Sequence, residues 1–151
     1  MRKSSLPLPQ DIPIKDREDA MGSYLMMFAA IGVGIPIPAI NLIASSVYFF
    51  LYREGSNFVR FHAFQSLVSQ LPLSAINAVI MVWFIRVLFF HGEFSQNFAV
   101  YIAFLIVINI LYLAFSIIAA VKARNGEFYF FVFFGEIAYK KYFGDSNLQE
   151  N

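Results

Sequence analysis

The chain has 151 residues, enough for one domain; 59% of them are hydrophobic, 14% are charged, and the formal net charge is +1. A soluble domain carries about 25% charged residues. A soluble protein of this length has too little interior to bury so much apolar surface, so the composition predicts a membrane protein. The small net charge argues against nucleic-acid binding. The absence of cysteine excludes disulfides and thiolate metal sites, and two histidines without a carboxylate cluster give no reason to expect a metal or another cofactor.

The N-terminal part combines a polar segment with a broken apolar stretch. Residues 1–19 are polar and contain three prolines, which predicts a mobile tail without the features of a signal peptide. The apolar stretch 20–52 is interrupted by Pro36 and Pro38, and each proline biases the residue before it away from helical geometry. We therefore expect a hairpin of two short helices, 22–35 and 39–52, broken at these prolines. Whether it crosses a thinned bilayer or re-enters it is open at this point.

Two longer uncharged stretches, 61–85 and 94–121, follow, and they predict membrane-spanning helices at 58–85 and 96–121. After a turn at Asn125-Gly126, residues 128–143 are rich in aromatic side chains and include Glu136, Lys140 and Lys141, which is typical of an interfacial amphipathic segment. Residues 144–151 form a polar tail. The expected fold is an all-α integral membrane protein with one transmembrane domain at 20–143. It is a four-helix bundle with a short Pro-broken N-terminal hairpin, two long spans and a C-terminal interfacial segment.

The distribution of Lys and Arg favours the hairpin. If 20–52 crossed the membrane once, the basic residues would divide almost evenly between the two sides. If the stretch turns back at the prolines, ten of the eleven basic residues lie on one side, and Arg86 lies on the other. Because cytoplasmic segments carry the excess of Lys and Arg, we expect both termini in the cytoplasm.

Polar side chains recur at helical spacing inside the two long spans. This polar stripe consists of Ser66, Gln70, Ser74, Asn77, Asn109, Tyr112 and Ser116. Polar groups that face lipid lack partners, so these faces should turn toward other helices. Two interpretations stay open: the stripe joins the helices by hydrogen bonds, or it lines a hydrophilic groove for a polar substrate. The spans contain no Asp or Glu, which argues against ion-coupled transport.

A second cluster lies where a polar loop enters the first long span, and it consists of Phe58, Arg60, Phe61, His62 and Gln65. It is either an interfacial anchor, with Arg60 reaching lipid headgroups, or a docking site for the first hairpin and a partner. In the docking interpretation Phe58 and Phe61 are apolar anchors, and Arg60 caps exposed carbonyl groups. Neither interpretation makes His62 a general base, because no nucleophile stands at a fixed spacing from it.

The phrase SNFVRFHAFQSL at 56–67 resembles the Tic-twenty family of the chloroplast inner-envelope import translocon and related small bacterial membrane proteins of unknown function. The Pro-broken hairpin at 35–41 and the segment AAVKARNGE at 119–127 match further features of that family in the same order. The resemblance covers about residues 20–135 and implies a four-helix membrane protein, with a role in protein translocation for the plant members. The proline that usually follows the G-E pair is missing here. Four acidic residues within 1–19 argue against a plastid transit peptide, so a bacterial inner membrane is expected.

The expected function is that of a non-enzymatic subunit or accessory factor of a membrane protein complex, in protein translocation or membrane-protein assembly. The alternative is a small-solute or ion channel or transporter, with a polar groove along the third helix. An intramembrane enzyme is disfavoured, because no catalytic constellation can be named. The expected partners are the lipid bilayer and other membrane-protein subunits, with self-association as a further option and no nucleic acid.

Overall fold

A computed structural model describes residues 6–28, 38–90 and 92–144. These residues form five α-helices, namely α1 (Ile14–Leu25), α2 (Pro38–Leu51), α3 (Asn57–Phe89), α4 (Gln96–Arg124) and α5 (Phe134–Phe143). Short 3-10 turns lie at Pro9–Asp11 and Met26–Phe28, and the described ranges contain no strand. The predicted all-α fold is confirmed.

Helices α3 and α4 are long and apolar enough to cross a membrane. Their 33 and 29 residues correspond to about 50 and 43 Å at 1.5 Å per residue, against a hydrocarbon core of about 30 Å. Each begins at a serine N-cap, Ser56 and Ser95, whose hydroxyl accepts a backbone N–H of the first turn. The helices run antiparallel and end four and three residues beyond the predicted 58–85 and 96–121. Arg86 and Arg124 lie in their last turns, where the helix dipole favours positive charge.

The prediction of a mobile tail is wrong for residues 6–19. Ile12 and Ala20 are buried in the hydrophobic core, and α1 begins directly after Pro13. The Arg17 side chain donates to the carbonyls of Pro9 and Ile12, at 2.8 and 2.9 Å. Glu18 forms an ion pair of 2.6 Å with Arg124 at the end of α4. The polar composition of this segment suggested a solvent-exposed tail. In the structure, its polar side chains instead bind carbonyl groups of the preceding turn and form an ion pair with α4.

The first hairpin also differs from its predicted bounds. Helix α1 starts eight residues before the predicted 22–35 and ends at Leu25, while α2 lies within one residue of the predicted 39–52. Pro36 and residues 29–35 of the first predicted helix fall outside the described residues. Pro38 is the first residue of α2, where a missing N–H costs no helical hydrogen bond.

Small side chains allow α1 to pack closely on α4. Ala20 of α1 and Ala119 and Ala123 of α4 have no exposed surface. They form the centre of a core that also contains Tyr24 and Phe58. The beginnings of α1 and α3 and the end of α4 therefore meet at one end of the molecule, which we call the packed end.

The interfacial amphipathic segment predicted at 128–143 is helical only in its second part. Residues 127–131 have no regular secondary structure, 132–133 form a turn, and Phe134–Phe143 is helical. The segment runs inward along α3: the Phe128 ring lies 5.2 Å from that of Phe61, whereas Phe133 lines an apolar cleft of about 380 Å³ with Pro72 and Ile76. Helix α5 then packs back along α3, burying Gly135 and Ala138. The aromatic side chains of the C-terminal segment therefore pack on α3, and the segment does not lie flat in the membrane interface.

The hairpin and the C-terminal segment cover the same half of the long helices. Tyr24 of α1 contacts His62, and Ser45 of α2 contacts Gln70. Among the described residues, the other half of α3 and α4 forms a hairpin closed by Trp83, whose ring lies 5.2 Å from that of Phe98 and 6.0 Å from that of Tyr101. We call this the far end.

Candidate functional site

Gln65 lies where α1, α3 and the C-terminal segment meet, a site that we call the junction (Tyr24, His62, Gln65, Tyr129 and Phe131). Its amide nitrogen donates to the Tyr24 hydroxyl at 2.7 Å and to the Tyr129 carbonyl at 2.9 Å. Its amide oxygen accepts the Phe131 N–H at 3.3 Å. Since Gln65 has no exposed surface, one side chain satisfies backbone groups of the C-terminal segment and holds that segment on α3.

The same network includes His62. The Tyr24 hydroxyl accepts from Gln65 and shares a hydrogen bond of 2.9 Å with His62 Nδ1. Nε2 is buried and has no hydrogen-bond partner among the described atoms. His62 thus serves as the end of a hydrogen-bond chain within the protein.

Aromatic rings enclose His62. The ring centroids of Phe58 and Phe61 lie 4.6 and 5.0 Å from that of His62 in edge-on geometry, and Phe128 stacks at 5.9 Å. His62 itself has no exposed surface. The cage excludes water from the imidazole, which makes His62 a packing and hydrogen-bonding residue of the junction.

Polar contacts also fasten the two helices of the hairpin. The Ser66 hydroxyl of α3 donates to the Ser23 carbonyl of α1 at 2.8 Å. Tyr48 of α2 donates to the Asp19 carbonyl at 2.6 Å, and Tyr52 donates to an Asp19 carboxylate oxygen at 3.0 Å. The hydrogen bond to Asp19 raises the pKa of Tyr52 above its usual value. These contacts join α1 to α2 and α3 without a buried ion pair.

In the membrane-spanning part, Asn77 and Asn109 form a reciprocal amide pair between α3 and α4. Each side-chain nitrogen donates to the other side-chain oxygen, at 3.2 and 3.0 Å. Each also donates to a carbonyl four residues earlier in its own helix, those of Leu73 and Leu105. All four amide hydrogens are therefore used between and within the helices, which is the geometry expected if this part of the stripe joins helices.

The rest of the stripe is divided between helix contacts and a polar cleft. Gln70 donates to the Ser45 hydroxyl at 2.5 Å, and Ser69 shares a hydrogen bond of 3.0 Å with Tyr112. A cleft of about 260 Å³ opens between α2, α3 and α4. It is lined by Phe28, Asn41, Gln70, Leu73, Ser74, Asn77, Asn109, Ile110, Tyr112 and Leu113. The Gln70 side-chain oxygen is buried there without a hydrogen-bond partner among the described atoms.

The predicted docking cluster is mostly interior. Phe58 and Phe61 are 2% and 0% exposed, so they cannot be anchors at headgroup depth: they fill the space around His62. Arg60 is half-buried, with its guanidinium 4.7 Å from the Tyr142 ring centroid and 3.5 Å from the Asn57 side-chain oxygen. The expected capping of hairpin carbonyls by Arg60 is therefore replaced by contact with α5. Ser116 of the stripe is buried at 2% exposure.

Tyr24, Tyr129 and Phe131 were not among the predicted site residues. Their hydrogen bonds to α3 join positions 38 to 66 residues apart in the chain. Two of these bonds use backbone groups of Tyr129 and Phe131, which leave no mark in the side-chain pattern. The one usable signal was the unexplained Gln65 beside His62 in a long apolar helix.

The model of the magnetosome magnetite crystal formation protein family matches residues 16–137, a range that includes most of α1, all of α2 to α4 and the whole junction. The chain belongs to this family, MamF/MmsF. The resemblance to the Tic-twenty family is therefore wrong as an assignment, since the family model that matches this chain is that of MamF/MmsF. The phrase at 56–67 that suggested Tic-twenty contains His62 and Gln65, whose observed role is to build the junction of this MamF/MmsF-family chain.

One curated relative is the UPF0132 membrane protein MJ1527 of Methanocaldococcus jannaschii, 34% identical over 98 residues. The match covers 65% of this chain and 60% of the relative, so the chain spans less than two thirds of the length of that protein. No solved structure matches the chain. The name of the relative and the two long apolar helices support a membrane location.

Proposed function

We propose that this MamF/MmsF-family chain is a non-enzymatic accessory subunit of a membrane protein complex. The observation that carries the proposal is the junction. There, the polar groups of Tyr24 and Gln65 and the His62 Nδ1 atom are all used to bind one segment of the chain to another. Such an arrangement stabilises a fixed shape, which is what a subunit presents to its neighbours.

The family description concerns magnetite crystal formation. Among residues 6–28, 38–90 and 92–144, no three His, Asp or Glu side chains lie close enough together to hold a metal ion. A role in crystal formation would then be indirect, through membrane components that this chain contacts.

In-cell photo-crosslinking tests the proposal. A photoreactive amino acid replaces Val82 of α3 or Val100 of α4, which are 56% and 62% exposed at the far end. We expect a crosslinked product of one fixed mass, with the same partner identified by mass spectrometry from both positions. Phe98 is fully buried, and the photoreactive residue placed there is the matched control that should yield none. Lipid adducts alone from Val82 and Val100 would contradict the proposal.

A second function, passage of a small polar solute, is favoured by the cleft that contains the unpartnered Gln70 oxygen. Purified protein in liposomes tests it. Uptake of a small uncharged polyol should then exceed that of empty liposomes, and Gln70→Leu should abolish the excess. Asn97→Leu, at an exposed site at the start of α4, is the control. Uptake equal to that of empty liposomes would exclude this second function.

A further inference from the structure

Two cations at the packed end share one aromatic ring. The Arg60 guanidinium carbon lies 4.7 Å from the centroid of the Tyr142 ring, and Lys141 Nζ lies 5.6 Å from the same centroid. Lys141 Nζ is also 3.9 Å from the Phe64 ring centroid. Rings of α3 and α5 thus gather the two positive groups around one aromatic side chain.

No described carboxylate neutralises this pair. The ion pairs of the described residues are Arg53–Glu54, Lys122–Glu127 and Arg124–Glu18. They leave Arg60 and Lys141 without a carboxylate partner among those residues. The Arg60 Nε–H is buried without a hydrogen-bond acceptor among the described atoms. An anion with several acceptor oxygens would complement this site.

The position of Arg60 and Lys141 along α3 corresponds to the depth of lipid headgroups. Arg60 is followed by the uncharged run 61–85, about 38 Å of helix at 1.5 Å per residue, which is the length of a hydrocarbon core with part of its interfaces. The cations therefore lie where an apolar helix leaves the hydrocarbon.

An apolar face of α2 continues from the cation pair into the membrane. Lys141 Nζ is 5.6 Å from the Phe49 ring centroid of α2. The next residue, Phe50, shares one helix face with Val47 and Ile43, and these three side chains are 63%, 53% and 61% exposed. A molecule with a phosphate at the cations and an acyl chain along this face would contact both surfaces.

We infer that Arg60, Lys141 and Tyr142, together with this face of α2, form a binding site for an anionic phospholipid. The phosphate contacts the guanidinium and the ammonium group, and an acyl chain lies along Ile43, Val47 and Phe50. A zwitterionic lipid offers the same phosphate but brings a positive headgroup toward two cations, so anionic lipids bind more tightly. The acyl contact distinguishes the lipid from free phosphate.

The test uses the full chain, delipidated in a neutral detergent and titrated with phosphatidylglycerol, with thermal unfolding and native mass spectrometry as readouts. We expect phosphatidylglycerol to raise the Tm and to remain bound in a one-to-one complex. The double variant Arg60→Gln/Lys141→Gln should bind it at least tenfold more weakly. Arg53→Gln/Lys140→Gln removes the same charge from two exposed side chains of the packed end and should bind like the unmodified protein.

Three outcomes would overturn the inference. Equal weakening in both double variants would mean that overall charge alone attracts the lipid. Equal stabilisation by phosphatidylcholine would mean that the site does not distinguish anionic headgroups, and equal stabilisation by inorganic phosphate would mean that the acyl face is not used. If the Arg60 variant fails to fold, Lys141→Gln is compared with Lys140→Gln, since both lysines are exposed in α5.

Discussion

At the scale of single residues, Gln65 combines three buried hydrogen bonds in one side chain. Gln65→Leu keeps a similar volume but leaves the Tyr129 carbonyl and the Phe131 N–H without that partner, and each buried unsatisfied group costs about 1–3 kcal/mol. We expect the free energy of unfolding in detergent to fall by roughly 2–5 kcal/mol. Gln96→Leu, at an exposed site, should leave it nearly unchanged. Equal stabilities of the two variants would show that Gln65 does not hold the C-terminal segment.

Tyr52 makes the packed end sensitive to alkaline pH. Its hydrogen bond to Asp19 raises the pKa of the phenol in the folded protein. Tyr52 therefore contributes its full stabilisation at pH values below the pKa of tyrosine in the unfolded chain, about 10. This stabilisation is lost as the pH rises through the higher pKa of Tyr52 in the folded protein. Measured from pH 8 to 12, the Tm difference between the unmodified protein and Tyr52→Phe should shrink. A difference independent of pH would mean that the hydrogen bond is absent.

At the scale of helices, the Asn77–Asn109 pair should couple α3 to α4 energetically. Replacing either residue by leucine orphans an amide of the other, at about 0.6–2 kcal/mol for an interhelical hydrogen bond in a membrane. The double variant Asn77→Leu/Asn109→Leu orphans neither, so it should lose less stability than the sum of the single losses. The pair Asn77→Leu/Asn97→Leu, with Asn97 exposed, should be additive. Additivity in both cycles would favour the groove interpretation of the stripe.

Helix α5 depends on the absence of a side chain at Gly135. A Cβ there would come within 2.7 Å of Phe130 backbone and side-chain carbons and within 2.9 Å of the Gln65 side-chain oxygen. Gly135→Ala should displace α5 from α3 and lower the free energy of unfolding by about 1–3 kcal/mol, the usual cost of overpacking. Glu136→Ala, on the exposed face of the same helix, is the control. Wild-type stability of Gly135→Ala would mean that α5 is not seated on α3.

The sequence patterns predicted the positions of the long helices correctly, but they did not predict most of the contacts between helices. The long uncharged runs correctly predicted the two long helices, because length and apolar composition alone decide whether a helix can span. The start of α1 was missed because Arg17 and Glu18 look solvated in the sequence, whereas they bind carbonyls of the preceding turn and Arg124. His62 and Gln65 were expected in a docking site for the first hairpin. Their partners Tyr24, Tyr129 and Phe131 were not predictable, because the bonds join distant positions and partly use backbone atoms.

At the scale of the whole molecule, the packed end brings together chain segments that are far apart in sequence. The Glu18–Arg124 ion pair places the start of α1 beside the end of α4, and Asn57 begins α3 at the same end. Single cysteines at Lys15, Asn57 and Lys140, all exposed, should be labelled from one side of the membrane by an impermeant thiol reagent. A cysteine at Gln96 should be labelled from the other side. Labelling of Lys15 and Asn57 from opposite sides would contradict the folded hairpin.

The described residues are distributed unequally between the two ends and together have a wedge shape. Among residues 6–28, 38–90 and 92–144, the packed end contains α1, α2, α5 and the ends of α3 and α4, whereas the far end contains α3 and α4, each about 10–12 Å across. The cross-sectional area of the protein therefore differs between the two leaflets. Such a shape fits best in a curved bilayer whose leaflet around the packed end is convex. Reconstitution into vesicles of decreasing diameter should raise the fraction of molecules whose packed end faces outward, measured by external labelling of Asn57→Cys. If the fraction of molecules with the packed end outward does not change with vesicle diameter, membrane curvature does not influence the orientation of the protein.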